Sequence, residues 1–172
     1  MRNGNLKILA RVAMLVAIEI VLTRFLSIQS PMLRIGFGFL PVAVCAMLYG
    51  PGWAAAGYVV GDIVGMMFSA AAFMPGITLS KVLTGLVFGL LLYRQNENDK
   101  FAWWRPLTAA AINAAVIGLC VNTYWLSALF ATPYWTVFAA RLVQTAVQLP
   151  LEFIGMLALI KPVGLLRKHN LA

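Results

Sequence analysis

Apolar runs long enough to cross a bilayer fill most of this chain, and seven charged residues stand inside them: Glu19, Arg24, Arg34, Asp62, Lys81, Arg141 and Glu152. A charge at mid-bilayer costs roughly 2.5–3.5 kcal/mol even on lenient insertion scales. Seven such costs call for a polar cavity or pathway inside a helix bundle, so the pattern points to a transporter or receptor rather than an anchor. The runs are continuous and do not alternate, which selects helices over a barrel. Only 10% of the 172 residues are charged, against about 25% in a soluble domain. At about 20 residues per span, the chain holds six spans and no soluble catalytic or nucleotide-binding domain. The expected fold is all-α, a single membrane domain over residues 1–172.

The net charge of +8 does not indicate nucleic acid. Nine of the thirteen Lys and Arg fall in three short polar segments: Arg2, Lys7 and Arg11; Arg94, Lys100 and Arg105; Lys161, Arg167 and Lys168. Positive residues stay on the cytoplasmic side. The three clusters agree when both termini and the central loop face inward, which six spans satisfy. Anionic lipid is a second partner for the same clusters. Cys45 and Cys120 sit in apolar runs without a CxxC or a His partner, and His169 lies in a basic tail. No metal site can be assembled from them. The first apolar run lacks a small-residue cleavage site and is expected to remain as a span.

The spans read as 8–25, 40–49, 53–68, 78–93, 107–129 and onward to 160, with Lys161–Pro162 ending the last. The second is short and must borrow length from the preceding segment. Gly50, Pro51 and Gly52 make a tight inner turn. The outer connections around 26–39, 69–77 and 132–133 are apolar, aromatic and Gly/Pro-bearing. They suit either an interfacial belt or a lid. Small residues at four-residue spacing let helices approach: Gly57, Gly61 and Gly65; Gly85 and Gly89; Ala110, Ala114 and Gly118. Ala13 and Ala17 in the first span are either internal packing or an outward strip for a second membrane protein.

The sixth span carries the clearest polar pattern. Arg141, Gln144, Gln148 and Glu152 recur on one helical face, which must look into the bundle. Arg24, Arg34, Lys81 and Arg141 converge on the outer half from four segments, near Asn122, Tyr124 and Trp125. Two accounts compete. In one, charges pair internally, Arg24 with Glu19 and Lys81 with Asp62. In the other, the cations serve an anionic ligand, since Arg grips carboxylate bidentately and aromatic rings stack on a flat heterocycle. Enzyme motifs such as HExxH and GxSxG are missing, so no catalytic residue is assigned.

The run Arg34-Ile-Gly-Phe-Gly-Phe-Leu-Pro41, then Leu48-Tyr-Gly-Pro51, Gly61-Asp62-Ile-Val-Gly65, Phe73-Met-Pro-Gly-Ile-Thr-Leu-Ser80 and Asn122-Thr-Tyr-Trp-Leu126, resembles the folate-specific substrate-binding subunits (S components) of energy-coupling factor (ECF) vitamin transporters. The resemblance spans nearly the whole chain. It implies six helices, a vitamin pocket in the outer half closed by the outer loops, and a multi-pass protein of a prokaryotic cell membrane. The partners it implies are a transmembrane coupling subunit, docking on Ala13 and Ala17, and two cytoplasmic ATPase subunits that use the ATP. The subunit itself needs no cofactor. Folate carries a pterin ring and a dicarboxylate tail. On this reading Arg34 and Arg141 hold the negative charge or the pterin carbonyl, with Arg24 and Lys81 as second choices. Asn122 and Gln144 meet the pterin edge, and Trp125, Tyr124 and Phe73 cover the ring. An S component for riboflavin, a non-catalytic assembly subunit, and a small intramembrane enzyme using Glu19 or Asp62 as base are the rival readings.

Overall fold

The structure, a computed structural model, describes residues 2–29, 34–67, 75–93 and 103–171. Six helices form the bundle among these: α1 (Arg2–Phe25), α2 (Phe39–Tyr49), α3 (Pro51–Met67), α4 (Pro75–Leu92), α5 (Trp104–Phe130) and α6 (Tyr134–Leu171). Three, at Pro75–Leu92, Trp104–Phe130 and Tyr134–Leu166, are long and apolar enough to cross a membrane. A small antiparallel hairpin, β1 (Ser27–Gln29) against β2 (Arg34–Gly36), joins α1 to α2 and pairs Ser27 with Gly36. It qualifies the all-α expectation.

The second helix does not lengthen into the preceding segment. Its 11 residues span about 16 Å, half the hydrocarbon thickness. It tolerates this because protein surrounds it: Val42, Ala43, Cys45, Ala46 and Met47 are buried against α1, α3, α4 and α6. A short helix enclosed by others exposes no backbone end to lipid. Gly50 then reverses the chain at φ 87°, a conformation that costs glycine little. Pro51 opens α3 at the position where a missing N–H is harmless.

Two glycine ladders serve different ends. Gly85 and Gly89 of α4 bring backbones together: a Cβ on Gly85 would stand 2.6 Å from Ala55 Cα, and one on Gly89 would strike Pro51. Gly57, Gly61 and Gly65 of α3 instead form a trough for side chains of α1, namely Val12 and Val16, Glu19, and Arg24. Both ladders pack within the bundle as their spacing leads one to expect, the first against backbone and the second against side chains of α1.

The last helix passes the expected stop at Lys161–Pro162 and continues to Leu171. Proline removes one hydrogen bond and crowds the preceding turn. Helix-favouring Leu165 and Leu166 follow, and Val163 is buried against the core cluster, so the helix resumes. Its 38 residues reach about 57 Å at 1.5 Å each, well beyond one bilayer core.

Candidate ligand site

The seam between α5 and α6 concentrates polar groups. In α6, Arg141, Gln144, Gln148 and Glu152 are turned inward, while Leu142, Val143, Val147 and Ile154 are exposed. The one-face reading of this span is therefore realised in the fold. Across the seam, α5 is π-helical from Asn113 to Val121, between α-helical turns. Asn113 and Asn122 are nine positions apart, and 3.6 residues per turn would put them on opposite sides. The wider π turns draw them toward the same side, and such turns recur at functional sites.

Asn113 links three helices. Its Nδ2 donates to both carboxylate oxygens of Glu152, at 2.9 and 3.0 Å, and its Oδ1 accepts from Thr84 Oγ1 at 2.9 Å. Gln148 Nε2 donates to Glu152 Oε1 and to the Gly36 carbonyl of the hairpin, both at 3.3 Å. Glu152 is only 4% exposed. Higher on the seam, Arg141 Nη1 donates to the Gly118 carbonyl at 3.3 Å. Asn122 Oδ1, Arg141 Nε and Gln148 Oε1 are buried with no partner among the described residues. Each such orphan costs about 1–3 kcal/mol, a cost that a bound polar molecule would remove.

A second polar group lies between α1, α3 and α4, around a narrow cleft lined by Glu19, Thr23, Arg24, Gly61, Asp62 and Lys81, among others. Here the internal-pairing account holds in part. Lys81 Nζ stands 3.7 Å from Asp62 Oδ1 and 4.1 Å from the centre of the Tyr58 ring, and Thr78 donates to Asp62 at 3.1 Å. Glu19 accepts from Thr23 at 2.9 Å, not from Arg24, and Arg24 donates to the Gly65 carbonyl.

The expected site residues thus separate. Arg141, Asn122 and Gln144 belong to the seam, whereas Arg24 and Lys81 belong to the second group. Trp125 lies across Gly76 at the start of α4 and meets Tyr124 edge-on at 5.7 Å. Tyr124 is 62% exposed, so its ring faces outward. Arg34 is placed in β2 by its backbone, and Phe73 lies outside the described residues. Ala13 and Ala17 are exposed on α1 beside Met14 and Ile18. Sequence reasoning passed over Asn113 and Thr84, because an isolated Asn in an apolar run has no periodic partner on its own helix.

A small apolar helical bundle with buried, unpartnered polar groups along one seam and a hairpin against it has the make-up of a membrane substrate-binding subunit. The sequence model of the ECF transporter substrate-specific component matches residues 7–160, and the chain belongs to that family. It is 37% identical over 167 residues to a folate transporter, FolT, of Clostridium novyi, covering 96% of this chain and 95% of that one. A FolT folate transporter of Leuconostoc mesenteroides is 27% identical over 146 residues, 81% of this chain and 77% of that one. A crystal structure of FolT bound with folic acid superposes with a TM-score of 0.76 at 30% identity, covering 85% of this chain and 86% of the other.

Proposed function

We propose that this chain is the folate-binding subunit of an ECF transporter, capturing the vitamin at the α5–α6 seam beneath the hairpin and delivering it to the rest of the complex. The observation that carries the reading is the set of unpartnered buried groups. Asn122 Oδ1 and Gln148 Oε1 are acceptors and Arg141 Nε is a donor. A pterin edge offers ring N–H and amino donors beside a carbonyl acceptor, which complements that set. The relatives named for folate transport support the same ligand. Arg34 and Arg141 then meet the ligand's negative charge or its ring carbonyl, Asn122 and Gln144 its edge, and Trp125 and Phe73 its faces, while Tyr124, whose ring faces outward, only backs Trp125 edge-on. Arg24 and Lys81 stay secondary, since Lys81 already has Asp62.

In the same proposal residues 1–172 form one membrane domain of a prokaryotic cell membrane, crossing six times with both termini cytoplasmic. The exposed Ala13–Ala17 strip docks a transmembrane coupling subunit, and two cytoplasmic ATPase subunits supply the energy. Membrane lipid surrounds the bundle, and nucleic acid is not a partner. The chain carries out no chemistry of its own and needs no cofactor. Mass and absorbance of any small molecule released from the purified protein test this reading. A folate supports it. A flavin reassigns the vitamin, and a protein that neither carries nor takes up a folate refutes it.

A further inference from the structure

Resting on the folate reading, we infer that Glu152 is a positioning residue for ligand selectivity: it sets which way the amide of Gln148 points and so decides which hydrogen-bonding sense that amide offers to the ring. An amide side chain can turn over and exchange its donor and acceptor ends. A neighbour able only to accept removes that freedom. With Glu152 ionised, both partners of Gln148 Nε2, the carboxylate and the Gly36 carbonyl, are acceptors, so the nitrogen faces them and Oε1 faces away. That oxygen is buried and has no partner among the described residues. Glu152 is itself held by two bonds from Asn113 Nδ2, which leaves Asn113 Oδ1 toward the Thr84 hydroxyl. The chain Asn113–Glu152–Gln148 therefore ends in one directed acceptor.

This arrangement also accounts for an acid that no cation neutralises among the described residues. A glutamine at 152 would fill the same volume without the burial cost of a charge, but it could turn over and leave Gln148 oriented by the Gly36 carbonyl alone. An acceptor of fixed sense favours a ring whose nitrogen carries a proton. Folic acid has such an N3–H beside its 4-oxo acceptor, while its 4-amino-4-deoxy analogue reverses both positions, presenting a bare N3 beside a 4-amino donor, and matches folic acid in the rest of the molecule.

The test compares the affinities of folic acid and 4-amino-4-deoxyfolic acid by calorimetry in four proteins: wild type, Glu152→Gln, Gln148→Met and the double variant. Wild type is expected to favour folic acid. Glu152→Gln is expected to reduce that preference by about fivefold, the worth of one hydrogen bond. In the Gln148→Met background the same change is expected to leave the preference where it was. If Glu152→Gln does not purify as a folded protein, Glu152→Asp replaces it, since it withdraws the carboxylate by one methylene and is expected to act in the same direction. A wild type without preference overturns the inference, as does an unaltered ratio in the Glu152 variant or an equal effect in both backgrounds. Wild type that binds neither compound overturns the folate reading itself, and this inference with it.

Discussion

Replacing Arg141 with methionine separates a ligand contact from a structural ion, because the two roles predict opposite changes in stability. The guanidinium is partly buried, uses one donor on the Gly118 carbonyl at 3.3 Å and leaves Nε without a partner among the described residues. An unsatisfied buried donor costs about 1–3 kcal/mol, and one bond to a neutral carbonyl returns about 1 kcal/mol of that. Methionine preserves much of the volume and carries no charge to desolvate. The unliganded variant is therefore expected to hold its Tm or gain about 2–4 °C, the shift worth about 1 kcal/mol in a chain of this length. Binding moves the other way. A hydrogen bond to an ionised group is worth about 1.5–3 kcal/mol, so Kd should weaken by about 10- to 100-fold. Calorimetric titration with folic acid, beside thermal unfolding with and without ligand, reads both quantities on one preparation. A Kd within twofold of wild type in a folded variant refutes a ligand role for Arg141. A fall in Tm of the unliganded form refutes the claim that its donors await a partner.

Other outcomes follow from the packing. Ala13→Trp with Ala17→Trp should leave folic acid binding unchanged in the isolated protein and abolish uptake by cells carrying the whole transporter; retained uptake would mean that the coupling subunit docks elsewhere. Gly89→Leu should destabilise the fold by about 3 kcal/mol or more, since a side chain there meets Pro51 backbone that cannot yield, whereas Gly164→Ala, with nothing within 4 Å, should stabilise by about 0.4–1 kcal/mol; thermal unfolding distinguishes them. Lys81→Met should cost about 3–5 kcal/mol by leaving Asp62 buried and unpaired, and adding Asp62→Asn should recover most of that loss. A Lys81→Met variant that keeps its stability and loses affinity would instead make Lys81 a ligand contact.

Much of this architecture was legible in the residues. The inward face of α6 followed from the spacing of Arg141, Gln144, Gln148 and Glu152, because a polar stripe in an apolar helix has only one place to go. The reversal at Gly50–Pro51 and the partnership of Lys81 with Asp62 were readable for similar reasons, one from backbone freedom and the other from charge. What escaped depended on three-dimensional company. Asn113 carries no periodic signal, and its meeting with Glu152 depends on how α5 packs against α6. The ladder at Gly57, Gly61 and Gly65 has the spacing of a backbone contact, yet it receives the Glu19 and Arg24 side chains. Spacing shows that a neighbour comes close; it does not show whether that neighbour is backbone or side chain. The hairpin between α1 and α2 was missed because Pro31 and the glycines at 36 and 38 signal only a break in the helix.

The central claim is that this single chain, without its partners, encloses a folate between α5, α6 and the hairpin. Titrating folic acid into the purified protein, stripped of bound ligand and kept apart from coupling and ATPase subunits, tests it most directly. The account predicts saturable binding of one molecule per chain, with a rise in Tm that grows with ligand concentration. Heat of dilution alone, with no change in Tm, in a protein that remains folded would contradict it.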